Sequence, residues 1–174
     1  MPGELIPYGD MKISPAAGVL NYGQGLFEGM KAYRTSKDRV VFFRPEENAR
    51  RMQRGADRLK MPPVPESIFV DAVEQCVKAN LRWLPPMGKG AMYVRPLLMG
   101  SGPILGVAPA PSYRFLVYVT PVGPYFKGGV KAIDLLISDV HHRAAPGGSG
   151  GVKAIGNYAP VSYTHLRAHE TNVD

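Results

Sequence analysis

One primary amine follows a glycine-rich run in Pro146-Gly147-Gly148-Ser149-Gly150-Gly151-Val152-Lys153-Ala154-Ile155-Gly156-Asn157-Tyr158. Glycines tolerate positive φ and let backbone lie close to a ligand. A lysine held there could form an imine with an aldehyde cofactor if burial or a neighbouring charge lowers its pKa. Tyr158, five residues on, could donate to a phenolate oxygen of that cofactor. A phosphate-binding P-loop fits poorly: Val152 stands where the motif needs glycine, and Ala154 where it needs Ser or Thr to hold magnesium. Gly/Ser runs are also ordinary flexible linkers, which would leave Lys153 solvated. The residues by themselves leave both readings open, the linker being the plainer.

Other candidates are weaker taken singly. Arg51 reads as a surface cation on a helix, although its guanidinium fork suits phosphate oxygens. Tyr22, Phe27, Tyr93 and Tyr125 have the residue types of core as much as of pocket wall. His165 and His169 are four apart, a possible metal pair on a helix, but no third ligand is indicated and no metal site is expected. Cys76 is the single cysteine, which excludes an internal disulfide and a Cys-rich zinc site. With Val73, Val77 and Asn80 around it, it reads as a structural helix residue.

The elements that must position these residues are legible in part. Glu28 to Arg44 reads as a β-hairpin turning at Thr35-Ser36-Lys37-Asp38. Pro45 then opens a helix with Glu46 and Glu47 in its first turn, where the helix dipole favours acids. Ala49, Met52, Ala56 and Leu59 make its buried stripe, and Pro62-Pro63 ends it. A second helix is predicted from Ser67 to Leu84, with Phe69, Val73, Cys76, Val77, Leu81 and Leu84 on its apolar face. Ala91 to Met99, Tyr113 to Val119 and Val130 to Ser138 have the β-branched and aromatic content of strands. The expected organisation is a small α+β domain at 1–125, a connector at 126–130, the start of a larger domain at 131–160, and an unrelated polar tail at 161–174. The third strand opens a unit that few residues remain to complete, so the chain reads as truncated.

Composition is that of a globular protein, 45% hydrophobic and 20% charged. No apolar run is long enough to span a bilayer, and no membrane partner is expected. The net charge of +7 is concentrated at residues 31–60, with ten Lys/Arg against four acids. These fall mainly on the hairpin and an amphipathic helix without interleaved aromatics, which favours a solvated face with one or two functional arginines over nucleic-acid binding.

Asn21-Tyr22-Gly23-Gln24-Gly25-Leu26-Phe27-Glu28-Gly29-Met30-Lys31-Ala32-Tyr33, Phe43-Arg44-Pro45-Glu46-Glu47-Asn48-Ala49-Arg50-Arg51-Met52, Tyr93-Val94-Arg95-Pro96-Leu97-Leu98-Met99-Gly100 and Gly151-Val152-Lys153-Ala154-Ile155-Gly156-Asn157-Tyr158 form a set of four motifs. Together the set resembles the branched-chain amino acid aminotransferases, pyridoxal 5'-phosphate (PLP) enzymes of fold type IV. The motifs stand in family order at family-like separations and cover residues 18–160, which no single motif could match in specificity. The Pro-Gly-Gly-Ser-Gly-Gly-Val-Lys run is similar to the plant-type and related bacterial branch.

The resemblance implies the small domain of that fold plus the first strand and lysine segment of the larger one. It implies that Lys153 is the catalytic lysine, joined to PLP at rest and moving the proton once the substrate has displaced it. It implies that Tyr158 bonds the cofactor's phenolate oxygen and that Arg51 grips its phosphate. Phe27, Tyr93 and Tyr125 would wall the substrate pocket, Tyr22 and Val107 would be lent by the partner of a homodimer, and Arg95 with Tyr22 would receive the side-chain carboxylate of glutamate. The implied substrates are leucine, isoleucine and valine with 2-oxoglutarate. The family's pyridine-nitrogen glutamate and remaining phosphate turns belong beyond Pro160, so the 174-residue chain by itself is expected to be inactive. A D-amino acid transaminase or aminodeoxychorismate lyase would share the lysine and phosphate arginine, and a non-catalytic dimerisation module would need neither. With no transit peptide in view, a cytoplasmic location is expected, or an organellar one if the N-terminus is incomplete.

Overall fold

The structure, a computed structural model, describes residues 3–124, 132, 137, 140 and 142–161. A short helix α1 (Gly18–Tyr22) leads through β1 (Gly25–Phe27) and β2 (Met30–Arg34) to β3 (Val40–Phe42). Two longer helices follow, α2 (Pro45–Arg58) and α3 (Glu66–Ala79), then β4 (Ala91–Gly100) and β5 (Tyr113–Val122). Single 3-10 turns stand at Leu81–Trp83 and Ile155–Asn157. The α+β expectation for the small domain holds.

All strand pairs are antiparallel, and β4 is the spine. One edge of β4 pairs with β5 along its whole length, Ala91 opposite Val122 through Gly100 opposite Tyr113. Its other edge is shared: β1 covers Leu97 to Met99, β2 covers Met92 to Val94, and β3 lies outside β2. Between β1 and β2 the edge is interrupted at Glu28-Gly29, where the Glu28 N–H donates to the Pro96 carbonyl at 2.8 Å. Proline offers no N–H to a ladder and is normally confined to strand edges and bulges. The N and O of one residue in an antiparallel strand face the same neighbour. The missing Pro96 N–H therefore falls at the interruption, which reconciles a proline with the middle of the central strand.

Strand alternation sorts β4 into two faces. Met92, Val94 and Leu98 are buried with Leu26, Met30 and Ala32 against Met52, Ala56, Phe69, Val73 and Val77 of the helices. Phe69 stacks on Phe115 with ring centroids 5.8 Å apart. The alternate residues Tyr93 and Arg95 point to the opposite, half-open face.

The helix ends depart from expectation for local reasons. α2 closes before Pro62 in a Schellman turn: the Met61 N–H reaches the Ala56 carbonyl at 2.8 Å, with Lys60 in the glycine-like position at φ 53°. α3 ends five residues before Leu84 because the Asn80 side chain donates to the Cys76 carbonyl at 2.8 Å, and one 3-10 turn then carries Leu84 back into the core at 5% exposure. Cys76 is buried as expected of a structural residue, and burial pushes its thiol pKa up. The strand expected at 130–138 lies largely outside the described residues, as do Tyr125, His165 and His169.

Gly55 lets α2 close on the sheet. A Cβ there would meet the Leu26 methyls at 2.8 and 3.1 Å, and Leu26 is only 1% exposed. A Gly55→Val substitution is expected to destabilise the protein by about 1–3 kcal/mol through overpacking, although it removes a helix-interior glycine. Urea unfolding measures this, and an unchanged midpoint would show that α2 can shift off β1 without loss.

Candidate active site

Phe27 ends β1 and carries the site on its ring. Its N–H donates to the Lys153 carbonyl at 3.2 Å, and a bridge between Leu26 and Ala154 fixes the lysine segment beside β1. The glycine-rich run is not a free linker. The Arg58 guanidinium donates to the Gly147 carbonyl at 3.2 Å, and Asn157 Nδ2 donates to the carbonyls of Ser149 at 2.7 Å and Val152 at 2.9 Å. Gly147 supplies a φ of 76° to this loop.

Lys153 Nζ donates to the Tyr158 hydroxyl oxygen at 2.8 Å. The amine lies 4.4 Å from the Phe27 ring centroid and 4.7 Å from that of Tyr158, and the two rings meet edge to face at 4.6 Å. From β4, the Arg95 guanidinium stacks on the other candidates, 4.4 Å from the Phe27 centroid and 5.2 Å from that of Tyr93, whose hydroxyl accepts from Arg95 Nη2 at 2.8 Å. Arg95 Nε is buried without a partner among the described residues, so one strong donor remains unspent beside the aromatic cluster. A cleft of about 170 Å³ lies along Tyr93, Arg95, Tyr118, Val119 and Thr120. A roomier groove of about 560 Å³, between residues 12–15, 101–103 and 112–114, touches none of the predicted site residues.

Arg51 reaches the same region from α2. Its Nε donates to Glu28 Oε1 at 2.7 Å and its Nη2 to Glu28 Oε2 at 2.5 Å. This hydrogen-bonding holds the guanidinium pKa above its ordinary value against opposing desolvation, with smaller contributions from the Glu28 charge and from Tyr158. Glu28 is 1% exposed at its side chain while Arg51 is 48% exposed. Asn48 completes the carboxylate's shell, donating to Oε2 at 2.8 Å.

Lys153, Tyr158, Phe27, Arg95 and Tyr93 thus converge from three separated segments, and Arg51 is held beside them on Glu28, the residue after Phe27. Tyr22 and Val107 stand apart from the cluster, at 47% and 100% exposure. Glu28, Asn48, Tyr118 and Thr120 are in the site or along its cleft and were not predicted for it. The available signal was a lone acid in an apolar strand run, with Asn48 and Arg51 one helical turn apart in the following helix.

Solved structures share this arrangement of strands and helices. The branched-chain aminotransferase of Thermoproteus uzoniensis with norvaline superposes with a TM-score of 0.71 at 25% identity, covering 92% of this chain and 52% of that one. The T.th. branched-chain aminotransferase complexed with N-(5'-phosphopyridoxyl)-L-glutamate gives a TM-score of 0.57 at 29% identity, covering 67% of this chain and 38% of that one. The fold is that of the fold type IV aminotransferases. Among curated relatives, branched-chain amino acid aminotransferase 2, chloroplastic, of Humulus lupulus is 60% identical over 168 residues, 97% of this chain and 41% of the relative. The chain belongs to the branched-chain aminotransferase family, and it spans about two-fifths of the length of the curated relatives it matches. Further relatives carry chloroplastic or mitochondrial names. No protein-family model matches the chain.

The Glu28–Arg51 pair gives this region a stability test. Removing one partner of a buried ion pair leaves an uncompensated charge, which is costlier than never having had the pair. Arg51→Ala is expected to destabilise the protein by about 2–4 kcal/mol, discounted for the exposed arginine, and Glu28→Leu combined with Arg51→Leu to recover much of that loss. Thermal melts decide between this and a pair of no energetic consequence, in which Arg51→Ala melts like the parent.

Proposed function

We propose that this chain supplies the small domain and cofactor lysine of a branched-chain-amino-acid transaminase working with PLP and 2-oxoglutarate. The observation that carries the reading is the Lys153 amine at 2.8 Å from the Tyr158 hydroxyl over the Phe27 ring. The donor set fits PLP: an amine for its aldehyde, a phenol for its phenolate oxygen, and in Arg51 a guanidinium for its phosphate. When bound, PLP supplies an electron sink for the carbanion formed at the substrate α-carbon.

The chain's residues do the rest. Lys153 Nζ holds and moves the proton, and Tyr158 keeps it oriented. Phe27 and Tyr93 give the side-chain pocket its apolar wall. Arg95, stacked on both, puts a single cation at the rim, so one pocket accepts a branched aliphatic chain and also the second carboxylate of glutamate. Tyr125 belongs to the same wall in this reading. The domain division at 125 and 131 goes with it.

Exposed Leu20, Tyr22, Leu105 and Val107 support a homodimer in which Tyr22 and Val107 complete the partner's pocket. Their segments adjoin through the Ala17–Pro103 bridge. No helix among the described residues is long and apolar enough to cross a membrane. The organelle names of the relatives favour an organellar compartment over the cytoplasmic one expected from the sequence.

The test uses a completed protein, in which residues 3–160 of this chain are continued by the remainder of the Humulus lupulus relative. Borohydride is expected to fix one PLP on that protein and none on its Lys153→Ala variant, and leucine to serve as amino donor where D-alanine does not. Preference for D-alanine would assign the other branch of the fold. For Arg95→Met, KM for 2-oxoglutarate is expected to rise about tenfold or more with leucine little affected, because only the acid uses the cation. An equal rise for leucine would remove Arg95 from acid recognition.

A further inference from the structure

We infer that Glu28 is the positioning residue for Arg51, holding its guanidinium so that one edge stays presented to the cofactor phosphate. The inference rests on the reading of Arg51 as the phosphate ligand and adds what fixes its geometry.

Three observations carry it. The carboxylate takes the Nε–Nη2 side of the guanidinium with both oxygens, at 2.7 and 2.5 Å, and a two-point contact fixes the plane of the group where a one-point contact would let it swing. Nη1 has no partner among the described residues, so the fork is held by one edge and leaves another available. The burial is also one-sided. Glu28 is withdrawn from water at 1% exposure while Arg51 is 48% exposed, so the acid anchors from inside and the cation faces out.

Glu28 is itself clamped. Asn48 Nδ2 donates to Oε2 at 2.8 Å and the Gly29 N–H at 3.3 Å, and the Glu28 N–H is tied to Pro96 at 2.8 Å. Both carboxylate oxygens are therefore engaged, one of them three times. α2 carries other arginines, but Arg50 pairs with exposed Glu47 and Glu66, and Arg44 with exposed Glu47. Only Arg51 is set on a buried acid among the described residues. A buried ion pair is weak evidence for stability, since apolar residues of the same volume commonly do as well. Its use here is directional.

The test compares PLP with pyridoxal, which has the aldehyde and ring but no phosphate, as ligands of the completed apoprotein, read by the absorbance of the bound cofactor. Glu28→Gln keeps the shape but turns an amide N–H₂ toward Arg51. It is expected to weaken PLP binding about tenfold or more while changing pyridoxal binding less than about twofold. In an Arg51→Ala background the Glu28→Gln change should add no further loss. Equal weakening of both ligands would overturn the inference in favour of a general structural role, and so would no effect on either. Should Arg51→Ala itself leave the preference for PLP over pyridoxal intact, the reading of Arg51 fails and the inference goes with it. If Glu28→Gln does not fold, Asn48→Ala carries the test: a smaller loss confined to PLP supports the inference, and none overturns it.

Discussion

Pro96 cannot donate to a strand ladder, and it sits in the middle of β4, which pairs directly with β1, β2 and β5. The edge facing it therefore has to break, and the break is Glu28-Gly29. Phe27, on the near side of the break, ends on the open face with Lys153 and Arg95. Glu28, in the break, goes to the α2 side and takes Arg51. Gly29, next, has no side chain where the Tyr93 hydroxyl presses against it, so a Cβ there would collide with that oxygen. Three consecutive residues thus meet Lys153 and Arg95, Arg51, and Tyr93 in turn. The facing of the three residues is the alternation of an extended chain, with Leu26 and Met30 on the core side before and after them.

The two cations of the site are held by different physics, and their roles divide accordingly. Arg51 is bound through charge-assisted hydrogen bonds to a desolvated carboxylate, a rigid and strongly directional arrangement suited to a ligand that is always present. Arg95 is held mainly by stacking on Phe27 and Tyr93, with one hydrogen bond to a neutral phenol and its Nε left unpaired among the described residues. Stacking on aromatic faces is softer and tolerates a change of partner. In the proposed reading, where one pocket takes an aliphatic side chain and a carboxylate in turn, such a cation can be covered in one case and used in the other.

Helix and strand positions were legible wherever apolar periodicity was strong. The buried stripe Ala49, Met52 and Ala56 follows from it directly, and the strand at 91–99 follows from its β-branched and aromatic content. The ends of both long helices were not, because they are set by single local bonds: a Schellman turn that puts Lys60 where glycine is usual, and the Asn80 side chain on Cys76. Lys153 was visible, but as one of two open readings, because glycine-rich backbone is flexible or tight depending on partners that lie far off in sequence. Arg58 and Phe27 turn out to be such partners. Glu28 was only faintly marked, since a lone acid in an apolar strand run does not say whether it meets water or an arginine 23 residues later.

Much of the cationic excess at residues 31–60 resolves along the same lines. Arg34, Arg44 and Arg50 pair with surface acids, where water screens the interaction and each pair contributes about 0–1 kcal/mol. Arg58 instead ties the end of α2 to the carbonyls of the lysine loop. Among the described ion pairs, Arg51 alone has its partner removed from water. Charge density along the chain therefore does not mark Arg51 out, and the burial of the opposing acid is what separates it from its neighbours.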